Sequence, residues 1–110
     1  MRRGEIWTVA GGTGYAGKPR PAVILQDDRF DTDSATVCPF TTDPTDAPLF
    51  RLSIEPSSTN GLSQPCRLMV DELTTVARSK LGDRIGALDD ADLLRINRAL
   101  VVFLGIAATP

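Results

Sequence analysis

Along most of the chain the apolar positions recur with a period of two, and near the end they recur with a period close to 3.6. "GEIWTVA" (4–10) alternates large and small side chains and predicts a strand. "RPAVILQ" (20–26) is almost wholly apolar between Pro and Asp, which predicts a buried strand. "SATVCPFTT" (34–42) predicts another, with Pro39 marking a bulge or an edge near its end. "PLFRLSIE" (48–55) sets Leu49, Arg51, Ser53 and Glu55 on one face and Phe50, Leu52 and Ile54 on the other. "PSSTNGLSQP" (56–65) is turn-forming, "CRLMVDELTTV" (66–76) predicts one or two strands, and "DRIGAL" (83–88) a short one. Leu93, Ile96, Leu100 and Phe103 then step by three and four, the spacing of an amphipathic helix. Asp89 is its expected N-cap with Asp92 at the third position, Leu88 is placed to staple onto Leu93, and Gly105 is the expected stop.

Several short strands and one terminal helix leave too few helices for parallel βαβ units. The expected fold is mainly β, a small and strongly bent antiparallel sheet or barrel with a C-terminal α-helix packed against it. At 110 residues the chain is the size of one domain, 1–110, with no repeat or linker and enough length for one core without staples. A charged fraction of 24% against 42% hydrophobic residues argues against disorder. No apolar run approaches the length needed to cross a bilayer, and "MRRGEIW" is not followed by the apolar region of a secretory signal, so a cytoplasmic protein without membrane contact is expected. Cys38 and Cys66 sit in no CxxC pattern and are expected as buried thiols.

Net charge is -2, which counts against a general nucleic-acid binder. The charge is uneven: residues 1–24 carry Arg2, Arg3, Lys18 and Arg20 against Glu5, whereas residues 27–46 carry six aspartates against Arg29. A local basic face for a short anionic segment is therefore expected on an acidic globule. The chain has no histidine, which excludes histidine acid–base chemistry, Ser-His-Asp and Cys-His triads, and every zinc motif that uses histidine. Neither metal nor cofactor is expected. "GGTGYAGKP" (11–19) is Gly-rich but lacks the spacing and following helix of a P-loop or dinucleotide fingerprint.

Three stretches have residues suited to chemistry. In "KPRP", Pro19 and Pro21 restrict the backbone on both sides of Arg20. That describes a stiff loop entry with a solvated arginine, the reading composition favours, or a guanidinium fork preorganised for phosphate. "CPFTT" ends a strand in Thr41 and Thr42, which are good β-formers and also hydroxyl donors at a strand end. "MVDELTTV" interrupts an apolar run with Asp71, either facing solvent or partly buried with a shifted pKa. None of the three is specific alone.

Taken in order, "RRGEIW", "GKPRPAVILQDD", "TVCPFTT", "NGL" leading to "RLMVDELTTV", then "DRIGAL" and a terminal helix resemble the MazF/PemK/Kid family of bacterial toxins over essentially the whole chain. The resemblance implies a small SH3-like β-barrel with a C-terminal helix, assembled as a homodimer. It implies a metal-independent endoribonuclease that cuts single-stranded RNA at short sequences through the 2′-OH, leaving a 2′,3′-cyclic phosphate and a 5′-OH. It further implies a cognate antitoxin that blocks the groove at the dimer interface. The family's catalytic arginine falls on Arg20 and its threonine on Thr41. The acid of variable role falls on Asp71, the candidate base, and RNA contacts fall on Lys18, Pro21, Thr42 and Arg67. Met69 stands where some members carry an arginine two positions before the acid, so no Arg–Asp acid–base pair is expected at that site. Glu72 stands where glutamine is frequent. The first loop lacks the Ser-Glu-Gln run common in the family, so sequence preference does not transfer. Two other readings share the fold: a non-nucleolytic toxin like CcdB, which binds DNA gyrase, and a catalytically silent SH3-like binding module.

Overall fold

The strands form where the period-two pattern places them. The computed structural model describes residues 1–11 and 18–108. Among these, seven strands form one antiparallel sheet: β1 (Glu5–Val9), β2 (Arg20–Ile24), β3 (Ser34–Thr41), β4 (Arg51–Ile54), β5 (Cys66–Met69), β6 (Thr74–Ala77) and β7 (Leu81–Ala87). Their order is β4-β5-β3-β2-β1-β7, with β6 also paired to β3 and with β4 and β7 at the two ends of an open path. The run expected at 66–76 divides because a single 3-10 turn, Val70–Glu72, separates β5 from β6. Val70 in that turn is fully buried, so the chain bends without leaving the core.

β3 organises the sheet. One edge pairs with β2, Ala22 lying opposite Pro39 and Ile24 opposite Val37. The other edge pairs first with β6, over Ser34–Val37, and then with β5, through Phe40 and Thr41. The break between those partners falls on Cys38 and Pro39, where a missing amide donor is tolerated. Because β3 serves two partners along one edge, the sheet bends sharply around it.

The main core gathers Ile6, Val23, Phe40, Leu52, Ile54, Leu68 and Val70 with Leu88, Ile96 and Ala99. Ala22, Ile24, Ala35 and Val37 form a second cluster with Trp7, Val9 and Leu81 packed against it. β2 thus buries residues on both faces, which explains its unbroken apolar run.

The helix α1 (Asp90–Phe103) starts and stops as its sequence dictates. The Asp89 carboxylate accepts the Asp92 N–H at 2.8 Å, and Leu88 and Leu93 join the same core cluster. At the other end Gly105 has φ +68, its N–H reaches the Val102 carbonyl, and the Ile106 N–H reaches that of Val101, the pair of bonds that defines a Schellman stop. The helix packs on β4 and on the Val70–Glu72 turn. Full burial of Ile96 stabilises that contact by about 1.5–3 kcal/mol. Past Ala99 the helix end is open: Val101, Val102, Phe103, Leu104 and Ile106 are all exposed, and Phe103 meets half-buried Phe50 with ring centroids 6.1 Å apart.

Candidate active site

Arg20 opens β2 and Thr41 closes β3. The β2–β3 ladder ends with Ala22 opposite Pro39, two residues short of Arg20 and Thr41, and both of these residues line the same cavity. On the far edge of β3, Thr41 pairs with Arg67 of β5. Neighbouring strands lie about 4.8 Å apart, and residues level with one another share a face. Thr41 therefore sits between its partner Arg67 on one edge and the strand that begins with Arg20 on the other, an arrangement hidden in the sequence because its members lie 20 or more residues apart.

Arg20 and Thr41 line a cavity of about 300 Å³. It is lined by Lys18, Arg20, Pro21, Thr41 and Thr42, from β2, β3 and the residues next to them, and by Gly61, Leu62, Ser63 and Gln64 from the segment before β5. Phe40, Cys66 and Ile85 also contribute. A neighbouring recess of about 190 Å³ shares Thr41, Thr42 and Cys66 and adds Arg67 and Ser53. The Arg67 guanidinium also donates to the Thr45 carbonyl, which ties the segment after β3 to β5. The Thr41 hydroxyl oxygen accepts the Asp43 N–H at 3.1 Å. That bond occupies a lone pair and leaves the hydroxyl proton available to donate outward. The half-buried Arg20 guanidinium, the exposed Lys18 ammonium and these hydroxyls make a donor-rich surface suited to a phosphate.

The segment before β5 is rigid for reasons that can be traced. Asn60 is only 3% exposed. Its Oδ1 accepts the N–H groups of Ser57 and Leu62, each at 3.0 Å, and its Nδ2 donates to the Glu55 carbonyl at 2.8 Å. Gly61 follows at φ +69, where a Cβ would stand 2.0 Å from the Ile85 carbonyl oxygen. Gly86 lets β7 approach from the other side, where a Cβ would meet the Asn60 backbone at 2.4 Å. The Ala87 N–H donates to the Thr59 carbonyl at 2.9 Å and completes the seam. The "NG" dipeptide signals a turn, but nothing in the sequence announces that this turn walls the cavity.

Asp71 lies elsewhere. It is not among the residues lining the cavity. Its carboxylate accepts two bonds from Arg51, Nε to Oδ1 at 2.7 Å and Nη2 to Oδ2 at 2.8 Å, and Glu72 approaches the same guanidinium at 3.4 Å. The sequence expectation concerns an acid–base pair with residue 69; the partner seen here is instead Arg51, which lies opposite Met69 and brings its guanidinium to Asp71 from β4 as an ion pair. The Arg51 bond holds the Asp71 carboxyl below the usual aspartate range, which favours an ion pair over a proton acceptor.

The thiols are inert. Burial pushes the Cys38 thiol up to about 12 and raises that of Cys66, so neither supplies a thiolate near neutral pH. The basic N-terminal segment does not form one face. Arg2 pairs with Asp28, and Arg3 donates to the Leu25 carbonyl and to Asn97 Oδ1, away from the cavity. Among the described residues no group of three or more acidic or cysteine side chains is arranged to hold a metal ion, and no helix is long and apolar enough to cross a membrane. Most of the Gly-rich loop, residues 12–17, lies outside the described residues.

Comparison with known proteins agrees with this architecture. The chain is 58% identical over 108 residues to a protein of Mycolicibacterium smegmatis named "Probable endoribonuclease MazF", covering 97% of this chain and 99% of that protein. It is 30% identical to endoribonuclease MazF9 of Mycobacterium tuberculosis, covering 96% of this chain and 98% of the relative. Among solved structures, an endoribonuclease in complex with its cognate antitoxin from Mycobacterial species superposes with a TM-score of 0.78 at 23% identity, covering 100% of this chain and 99% of that one, a likeness of fold. Residues 2–104 match the family described as PemK-like, MazF-like toxin of type II toxin-antitoxin system, and the chain belongs to that family.

Proposed function

We propose that this protein is the toxin of a type II toxin-antitoxin pair and an endoribonuclease that cuts single-stranded RNA at Arg20 and Thr41. The observation that supports the site assignment is that Arg20 and Thr41 line one cavity, with Arg67 paired to Thr41 and lining the adjoining recess. RNA carries its own nucleophile. The 2′-hydroxyl gives up its proton as its oxygen attacks the adjacent phosphorus, the bond from phosphorus to the 5′-oxygen breaks, and that oxygen takes up a proton, so the ends are a 2′,3′-cyclic phosphate and a 5′-OH. Such an attack is intramolecular, so orientation and charge stabilisation carry most of the catalysis. Arg20 holds the phosphate with its planar fork and stabilises the added negative charge of the pentacoordinate state. Thr41 donates its hydroxyl proton to another phosphate oxygen. Lys18, Pro21, Thr42 and Arg67 position the flanking backbone. Asp71 is assigned a structural role, fixing the turn between β5 and β6 through Arg51.

The exposed apolar end of α1 supports a homodimer. Val101, Val102, Phe103, Leu104 and Ile106 are all exposed at the helix end, a local excess of apolar side chains of the kind found at protein interfaces. The mycobacterial endoribonuclease named above has been solved in complex with its cognate antitoxin. By likeness, an antitoxin with acidic and apolar side chains occupies the RNA path here, in the cytoplasm where the RNA is. The test is naked single-stranded RNA in EDTA. Cleavage to cyclic-phosphate ends, with duplex RNA and a 2′-deoxy substitution at the cut site both resistant, supports this reading. Strict magnesium dependence or cleavage of the deoxy substrate refutes the mechanism.

A further inference from the structure

The two segments that line the cavity differ in chemistry. Lys18 and Arg20 are cationic, whereas Gly61, Leu62, Ser63 and Gln64 carry no charge. A phosphate is drawn to the cations, which leaves the uncharged segment to meet a neutral group attached to it. Ser63 and Gln64 are exposed, and Leu62 is buried beneath them. A carboxamide offers two donor hydrogens and an acceptor oxygen, and a serine hydroxyl offers one donor and an acceptor. That is the equipment needed to bond the Watson–Crick edge of a base that has left its stack, the form in which proteins read single-stranded RNA. Leu62 and Ile85 supply apolar surface between the polar groups. The cavity volume sits at the low end for small-ligand pockets, the scale of one nucleotide rather than of a duplex.

Selective reading also requires a wall that holds still. The Asn60 bonds, the positive φ of Gly61 and the close approach at Gly86 fix the backbone from which Ser63 and Gln64 project. Pro65 restricts the chain directly after Gln64.

We infer that Ser63 and Gln64 are specificity-determining residues, reading the nucleobase next to the scissile phosphate, with Asn60 as the residue that positions their wall. The inference rests on the ribonuclease reading above. The test is cleavage of a random-sequence RNA pool by the wild-type chain and by the Gln64→Ala, Gln64→Glu and Ser63→Ala variants, with the cut ends sequenced and each protein checked by thermal melt. These side chains are exposed, so the variants are expected to melt like the wild type. Loss of a base-reading hydrogen bond should reduce discrimination at one position beside the cut by about tenfold, and Gln64→Glu should change which base is preferred there. Variants that keep the wild-type base profile, whether at full rate or uniformly slowed, overturn the inference and leave the ribonuclease reading standing. A wild-type chain that cuts no RNA overturns both.

Discussion

Replacing Asn60 by alanine should be among the most destabilising changes available outside the apolar core. The side chain is buried and makes three hydrogen bonds to backbone groups. Truncation leaves the N–H groups of Ser57 and Leu62 and the carbonyl of Glu55 without those partners. Leu62 is only 8% exposed, so its N–H is poorly placed to find water, and an unsatisfied buried group costs about 1–3 kcal/mol. Ser57 and Glu55 are exposed and recover solvent bonds, so each loses only part of a net contribution of about 0.5–1.5 kcal/mol. The sum is roughly 2–4 kcal/mol, equivalent to a Tm drop on the order of 10 °C for a domain of this size. Urea unfolding with thermal melts measures it. Asn60→Asp is the informative companion, because it keeps the acceptor for both N–H groups and loses the donor to Glu55. It should fall between wild type and Asn60→Ala near neutral pH. A loss below about 0.5 kcal/mol for Asn60→Ala, the range of ordinary surface changes, would refute the claim that this side chain holds the wall.

The other predictions concern separate parts of the molecule. Arg51 lowers the folded-state pKa of Asp71, so the pair's stabilisation is present above the unfolded aspartate value and is lost as pH falls through the depressed folded value. Asp71→Asn should therefore cost about 1 kcal/mol near pH 7 and nothing at strongly acidic pH, and melts that differ equally at both would contradict this. Thr41→Val keeps the side chain's size but loses the hydroxyl, so single-turnover cleavage should fall by a smaller factor than any change at Arg20; an unchanged rate would remove Thr41 from the site. Phe103→Glu should convert a dimer to a monomer in sedimentation at micromolar concentration, and an unaltered sedimentation profile would place the interface elsewhere.

Much of the fold is legible in the sequence because it rests on local pattern. The helix is readable because Asp89, the Leu93–Ile96–Leu100–Phe103 stripe and Gly105 each act within a few residues. β4 is readable because Phe50, Leu52 and Ile54 alternate with polar neighbours. What escapes the sequence depends on register. Arg51 reaches Asp71 only because β4 lies beside β5 with Arg51 opposite Met69, a fact of tertiary pairing. Asn60 reads as a turn former because its role depends on β7 closing over it. The turn at 70–72 is hidden because Val70 is apolar and buried like its strand neighbours, so the hydrophobic pattern does not register the bend. Arg20, Thr41 and Arg67 follow from the sequence only as expected site residues, and the pairing of Thr41 with Arg67 and the cavity shared by Arg20 and Thr41 depend on how β2, β3 and β5 fold together.

The most direct test of the account is single-turnover RNA cleavage by Arg20→Ala at saturating protein, paired with a thermal melt of the same preparation. Arg20 is half-buried at the mouth of β2 and belongs to neither core cluster, so truncation should leave the melt close to wild type. Removing a donor that stabilises transition-state charge should lower the rate by about 10²–10³-fold. Arg20→Lys should restore little, because an ammonium is a point charge and cannot reproduce the bidentate fork. A normal melt with near wild-type cleavage by Arg20→Ala would contradict the account and return "KPRP" to the status of a stiff entry into β2.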